Sequence, residues 1–314
     1  MLDSAVSIKA YNSIDNVPLD QWDRLATDQA IVYSSDYLRV VERSAIDGLQ
    51  DFHYIIINKG SVPICIATCY SFKADLSEYT HSIFKNIVSY IRRFFPNFLF
   101  VKVLECGSAI NISSCPFVID SNTQPGEVIV PLKVCLKDIG KKVRATVIGI
   151  KDLSQNFIKN DSVQQKISAD NFTIISSAPG TFIQLKCRSI DGYVDQMKSY
   201  YRSKVKKYLR KNVEANISSI LVDDFSALSD KLAQQWLTVH ESTSEAKREV
   251  LNSRFYRKLS AELGKESKAL LFYSGDELVG HALLVCDKTT LRWLYIGKNK
   301  AIGDNLYMFM MYKI

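Results

Sequence analysis

The 314-residue chain holds only 13 glycines and 7 prolines, and neither gathers into a linker. A collagen-like or low-complexity chain is excluded, and any two domains must follow one another without a flexible tether. Long hydrophobic runs are missing too. Nothing approaches the roughly 18 apolar residues that cross a bilayer, so no membrane insertion is expected. Residues 1–6 lack the basic and apolar regions of a secretory signal, which reads as a soluble cytoplasmic protein. The seven cysteines (65, 69, 106, 115, 135, 187 and 286) are odd in number and lack CxxC spacing, and four lie in apolar runs such as 62–69. Buried, reduced thiols are expected, not a disulfide framework or a zinc site. The four histidines (53, 81, 240 and 281) have no metal-ligand spacing, so no metal is expected. GxGxxG, GxxxxGKS/T, HExxH and GxSxG are all absent, so the signatures of dinucleotide, P-loop, zinc-peptidase and α/β-hydrolase sites are missing.

What remains is an ordinary globular composition, 47% hydrophobic and 23% charged, which can build a sizeable core. Forty Lys and Arg against 33 Asp and Glu leave a net charge of +7, compatible with a nucleotide cofactor, RNA or an anionic membrane surface.

Apolar spacing predicts helices over 17–26 and 34–43, the first entered through Pro18 and the second capped by serine. Two β-branched runs around a Lys-Gly-Ser turn predict a hairpin over 52–70. An amphipathic helix follows over 78–95, closed by Pro96, and then a strand over 99–104. Strands are expected at 144–149, 173–176 and 181–186, with a polar helix around 151–166. One long basic helix is expected over 193–215, then a strand at 217–222, helices over 230–243 and 253–263, three strands within 269–296, and a final apolar helix over 305–314. The blocks 54–70 and 270–286 share a strand–turn–strand pattern, each after two amphipathic helices, which points to a duplicated α/β unit.

Two features suggest chemistry. The polar loop 297–305 joins a strand to a helix, and a helix N-terminus binds phosphate through its unpaired N–H groups and dipole. Lys298 and Lys300 would add charge there, and Gly303 would let the backbone approach an anion. On the basic helix, Arg202, Lys206 and Arg210 recur every four residues and line one ridge, suited to an anionic substrate. For acyl transfer to an amine, His281, His240, Glu277 and Tyr295 are the ionisable groups available for proton transfer.

The segments IDNVPLDQWDRLA, YSSDYLRVVE, YYRSKVKKYLRKNVEA, LVGHALLV and LYIGKNKAIGDNLYMFMMYKI make most of the chain similar to the Fem-like branch of the GNAT acyltransferase superfamily. The resemblance implies an α/β (α+β) fold of two GNAT-like units, each a mixed, mainly antiparallel sheet flanked by helices. Residues 1–180 would form the first unit and 181–314 the second, lacking elements that usually follow its last helix. It further implies transfer of an acyl group from acyl-coenzyme A, such as acetyl-coenzyme A, to a small-molecule amine or peptide. Gly297, Lys298, Lys300, Gly303, Asp304 and Asn305 would hold the cofactor, Arg202, Lys206 and Arg210 the substrate, and His281, Glu277 and Tyr295 would carry the chemistry. Two alternatives stay open: aminoacyl-tRNA as donor, with RNA on the basic helix, and a non-catalytic docking module of a longer protein.

Overall fold

The computed structural model describes residues 5–110, 115–169, 172–176, 180–243, 248–300 and 304–313. They fall into two compact units, Met1–Ser177 with Ser244–Val250 and Ala178–Thr243 with Leu251–Ile314.

The first unit runs β1 (Val6–Tyr11), α1 (Leu19–Ala26), α2 (Ser35–Arg43), β2 (Leu49–Lys59), β3 (Val62–Asp75), α3 (Ser82–Ile91), β4 (Phe100–Cys106), β5 (Phe117–Ile119), α4 (Pro125–Val143), β6 (Val147–Ile150), α5 (Gln155–Ile158) and α6 (Asp161–Ser168). Its sheet has the order β1-β2-β3-β4-β6, with β5 beside β3; all pairs are antiparallel except β4 with β6. Apolar residues run without a break through Tyr54–Ile57 of β2 and Ile64–Ala67 of β3, so both faces need cover. On one side α4 sets Val128, Leu132, Cys135, Leu136 and Ile139 against Ile55, Ile57, Ala67, Cys69 and Leu104. Elsewhere in the unit Trp22 of α1 meets the Tyr54 ring edge-on at 5.9 Å and donates its indole N–H to the Tyr33 carbonyl.

The second unit runs α7 (Ile190–Asp195), α8 (Ser199–Glu214), β7 (Ile217–Val222), α9 (Ser229–Ser242), α10 (Ser253–Leu263), β8 (Ser267–Ser274), β9 (Glu277–Cys286), β10 (Leu291–Lys298) and α11 (Asp304–Lys313). Its four strands form an antiparallel meander, β10-β9-β8-β7. The first unit repeats this order: a strand, two helices, a hairpin and a fourth strand, with β1-β2-β3-β4 matching β7-β8-β9-β10.

Several expectations change. The runs 173–176 and 181–186 form no strand: Ile175 is 83% and Phe182 90% exposed, so their β-branched and aromatic composition finds no ladder to join. The helix expected at 193–215 is two, α7 and α8, separated at 196–198. The polar helix near 151–166 is likewise split into α5 and α6. Helix α4 carries Pro131 in its interior, where the missing N–H forfeits one intrahelical bond; burial of its apolar face outweighs that loss. All seven cysteines are free, and Cys65, Cys69, Cys106 and Cys135 are buried.

Segment 248–250 belongs to the first unit although α9 and α10, on either side of it, belong to the second. Val250 pairs with Asp47, and the Arg248 carbonyl lies where a side chain on Gly48 would stand, 2.0 Å from an ideal Cβ; Gly48 has φ +92°. The Arg248 guanidinium donates to Glu105 at 3.0 Å, Tyr70 Oη at 2.8 Å, the Ala109 carbonyl at 2.9 Å and Glu249 at 2.9 Å. Lys151 adds a second cation 3.5 Å from Glu105. Burial works against the Arg248 charge, but the phenol and the two carboxylates hold its pKa above the usual arginine value. Replacing Arg248 by Met would remove the cation that Glu105 and Glu249 share in a largely dry site. The expected loss is about 3–5 kcal/mol of stability, read by chemical denaturation, with Arg248→Lys intermediate.

Candidate functional site in the second unit

Strand β10 lies at an edge of its sheet, paired on one side only, with β9. Its register shifts between Trp293 and Tyr295, so Leu294 is an extra residue: Trp293 faces Leu284, whereas Tyr295 faces Leu283. A bulge bends the edge strand, and the outer edge offers backbone N–H and C=O groups to an extended amide ligand. The Trp293 indole donates across the bulge to the Tyr295 carbonyl at 3.1 Å, and the Tyr295 ring stands edge-on to Trp236 at 5.9 Å. Beyond β10 lie Asn299 and Lys300, and α11 (Asp304–Lys313) packs Leu306, Phe309 and Met310 onto Leu270, Phe272, Val279 and Ala282. The order is strand, bulge, short loop, helix.

A hydrogen-bond chain fixes that loop from inside. Gln235 Nε2 donates to the Leu278 carbonyl and to Asn299 Oδ1, both at 2.9 Å. Its Oε1 is left to accept from His281 Nδ1 at 3.0 Å, so His281 Nε2 accepts from the Tyr256 hydroxyl at 3.1 Å. Asn299 Nδ2 then donates to Glu277 Oε1 at 2.9 Å. His281 is fully buried, and burial brings its pKa down to about 3; it is a neutral imidazole bonded at both nitrogens. Gly297 makes this chain fit: an ideal Cβ there would lie 2.3 Å from His281 Cε1 and 2.7 Å from the Trp236 backbone nitrogen.

The sequence-predicted residues therefore divide. Gly297, Lys298 and Lys300 sit at the end of β10 and just past it; Gly303 lies outside the described residues, and Asp304 and Asn305 open α11. Tyr295 flanks the bulge. Glu277 is exposed and accepts from Asn299, which lies five residues past Leu294. His281 lies in the core with no surface exposed. Arg202, Lys206 and Arg210 lie on α8, where Lys206 and Arg210 are exposed and Arg202 turns back to Asp195, 3.4 Å from its carbonyl and 4.0 Å from its carboxylate. The inner face of α8 carries Val205 and Asn212, and its Tyr208 meets Tyr312 of α11. Among the described residues no group of three His, Cys, Asp or Glu side chains gathers to hold a metal ion, and no helix is long and apolar enough to cross a membrane.

Sequence reasoning missed the first unit's polar cluster. Tyr70, Glu105, Lys151 and Arg248 stand far apart in the chain and share no motif, so nothing in the sequence pointed to them. Tyr70 also lines a cavity of about 20 Å³ with Tyr37, Tyr54, Thr68 and Gly107, room for one water.

A helix pair ahead of an antiparallel meander whose edge strand is bulged makes the second unit a mixed α/β fold. Residues 13–309 match the FemAB-like family, described as peptidoglycan biosynthesis/recognition, and the chain belongs to it. The crystal structure of FemX is similar in fold, with TM-score 0.54 and 12% identity over 97% of this chain and 84% of that one. An aminoglycoside N-acetyltransferase solved with CoA aligns with 59% of this chain and 97% of its own, at 15% identity and TM-score 0.33. Two curated sequences from strains of Mycobacterium tuberculosis, each named "Putative 8-amino-7-oxononanoate synthase 2", are 23% identical over 77% of this chain. The chain spans about a third of their length, 31%.

The buried imidazole predicts a pH response. The folded-state pKa of His281 lies below its unfolded value of 6.5, so below that pH the unfolded chain takes up a proton that the folded chain refuses. The stability is fully present above about 6.5 and is lost as pH falls from there toward 3, by at most about 1.4 kcal/mol per pH unit. His281→Gln should flatten the slope of denaturant midpoint against pH between 6 and 4; an unchanged slope would show that His281 does not cause it.

Proposed function

We propose that this chain is an N-acyltransferase that moves an acyl group from acyl-coenzyme A, acetyl-coenzyme A in the simplest case, to a small-molecule or peptide amine. The observation that carries this reading is the bulged edge strand β10 running through Lys298 and Lys300 toward the start of α11. The edge supplies backbone groups for an extended amide-bearing donor, and the loop and helix start supply positive charge for its phosphates. The acceptor nitrogen attacks the thioester carbonyl, the carbon–sulfur bond breaks, the thiolate gains a proton and the nitrogen loses one. Of the three candidate groups, Tyr295 flanks the bulge and is assigned the proton transfer; Glu277 holds Asn299, and His281 with Gln235 keeps the loop in place. Membership of a family tied to peptidoglycan favours an amine on a cell-wall precursor as acceptor.

Aminoacyl-tRNA as donor is the second reading. It is favoured by α8, where Lys204, Lys206, Lys207, Arg210 and Lys211 are all exposed on one helix.

Acetyl-coenzyme A should raise the melting temperature under the first reading. Steep, salt-dependent tRNA binding without that rise would support the second. The Lys298→Glu/Lys300→Glu variant should weaken donor binding by about 1–3 kcal/mol in calorimetry, and unchanged binding would remove the loop from the site. Arg202→Gln/Arg210→Gln should lower turnover or substrate affinity about tenfold, with the melting temperature moved by only a few degrees, as expected when cations contact substrate and not the fold. Intact activity would return α8 to a solvated surface.

A further inference from the structure

The two units make the same strand-to-strand connection at very different lengths. In the second unit residues 287–290 join β9 to β10; in the first, residues 76–99 join β3 to β4 through a 3-10 turn and α3. Both connections serve neighbouring antiparallel strands, so the ladder does not require the longer one.

Helix α3 also reverses the usual arrangement. Its apolar residues Ile83, Ile87 and Tyr90 fall on one stripe, as for a helix that packs inward, and Phe94 and Phe95 follow in the turn beyond it. Yet among its described residues Val88 is the only buried apolar one: Ile83 is 76% and Tyr90 60% exposed, and past its end Phe94 is 69% and Phe95 67% exposed. Ile87 and Phe84 are exposed as well. Its main contact is with the 3-10 turn that leads into it.

The charge around this surface is basic. Residues 73–102 hold five Lys or Arg and two acids, and both acids are occupied: Arg92 grips Asp75 through two 2.7 Å bonds and Lys85 meets Glu78 at 3.0 Å, while Lys102 meets Asp51 of β2 at 2.7 Å. The Arg92 hydrogen bonds carry Asp75 far below the usual carboxylate range despite partial burial, so it stays ionised and paired. Arg93 stays exposed beside the Tyr90 ring, its guanidinium 5.7 Å from the centroid, and Lys73 reaches only the neutral Asn97 amide oxygen and the Phe100 ring.

We propose that the α3 arm docks the protein on an anionic lipid bilayer, with Ile83, Ile87, Tyr90, Phe94 and Phe95 entering the boundary between headgroups and acyl chains. Aromatic rings beside cations suit that boundary, and an apolar stripe with a basic rim lies in its plane. At ten residues α3 lies on the bilayer and does not cross it.

Sedimentation with vesicles of phosphatidylglycerol and phosphatidylcholine should carry the full chain down, and vesicles of phosphatidylcholine alone should carry much less. Phe94→Ser/Phe95→Ser should cut the binding constant by about tenfold or more with an unchanged melting temperature, since both rings are exposed. Ile83→Gln, alone on the helix, should also weaken binding, and keeps the test open if the double variant folds poorly. Arg93→Glu should weaken binding to the anionic vesicles only. Equal sedimentation with both lipids, or no effect of these variants, would overturn the proposal. So would a wild-type dimer that the Phe variant splits in ultracentrifugation, which would make this face an interface between two copies.

Discussion

A polar group removed from water must find its partners inside the protein, and the second unit is arranged around one such group. His281 sits in the middle strand of the β8-β9-β10 hairpins, where apolar neighbours would ordinarily be expected. Its two nitrogens tie α10, through Tyr256, to α9, through Gln235. Gln235 passes the constraint to Asn299, the first residue beyond the edge strand. Asn299 thus takes its position from the core.

Much of this architecture could be read from the sequence. Helices α1, α2, α9 and α10 and the two hairpins follow directly from apolar spacing and glycine-bearing turns, and their shared order marks the duplication. Elements that break local rules were hidden. Two prolines concealed α4, whose stability comes from the sheet beneath it. β1, an edge strand with mostly exposed side chains, shows little alternation of apolar and polar residues. The runs at 173–176 and 181–186 have strand composition without strand partners, a difference only tertiary structure decides.

The site was legible to a similar degree. The strand, loop and helix order is a local pattern and could be found; the bulge at Leu294 depends on register with β9 and could not. That the His281 imidazole is fully buried between Gln235 and Tyr256 depends on packing from three elements and has no local sequence pattern. The Arg248 cluster was invisible because its members converge from four distant parts of the chain.

That convergence sets an order of events during synthesis. The chain finishes the β-strands of its first unit before residue 177, yet the guanidinium that neutralises Glu105 emerges only after α9 has been made. Until then Glu105 must remain hydrated or rely on Lys151, and the surface that receives residues 248–250 stays open. The unit that begins first is thus closed late, by residues 248–250 delivered from within its neighbour's sequence. A cut at the 177–178 junction would therefore not release two self-sufficient domains. Each fragment would lack or carry a segment belonging to the other, and co-expressed halves would have to reassemble through that strap.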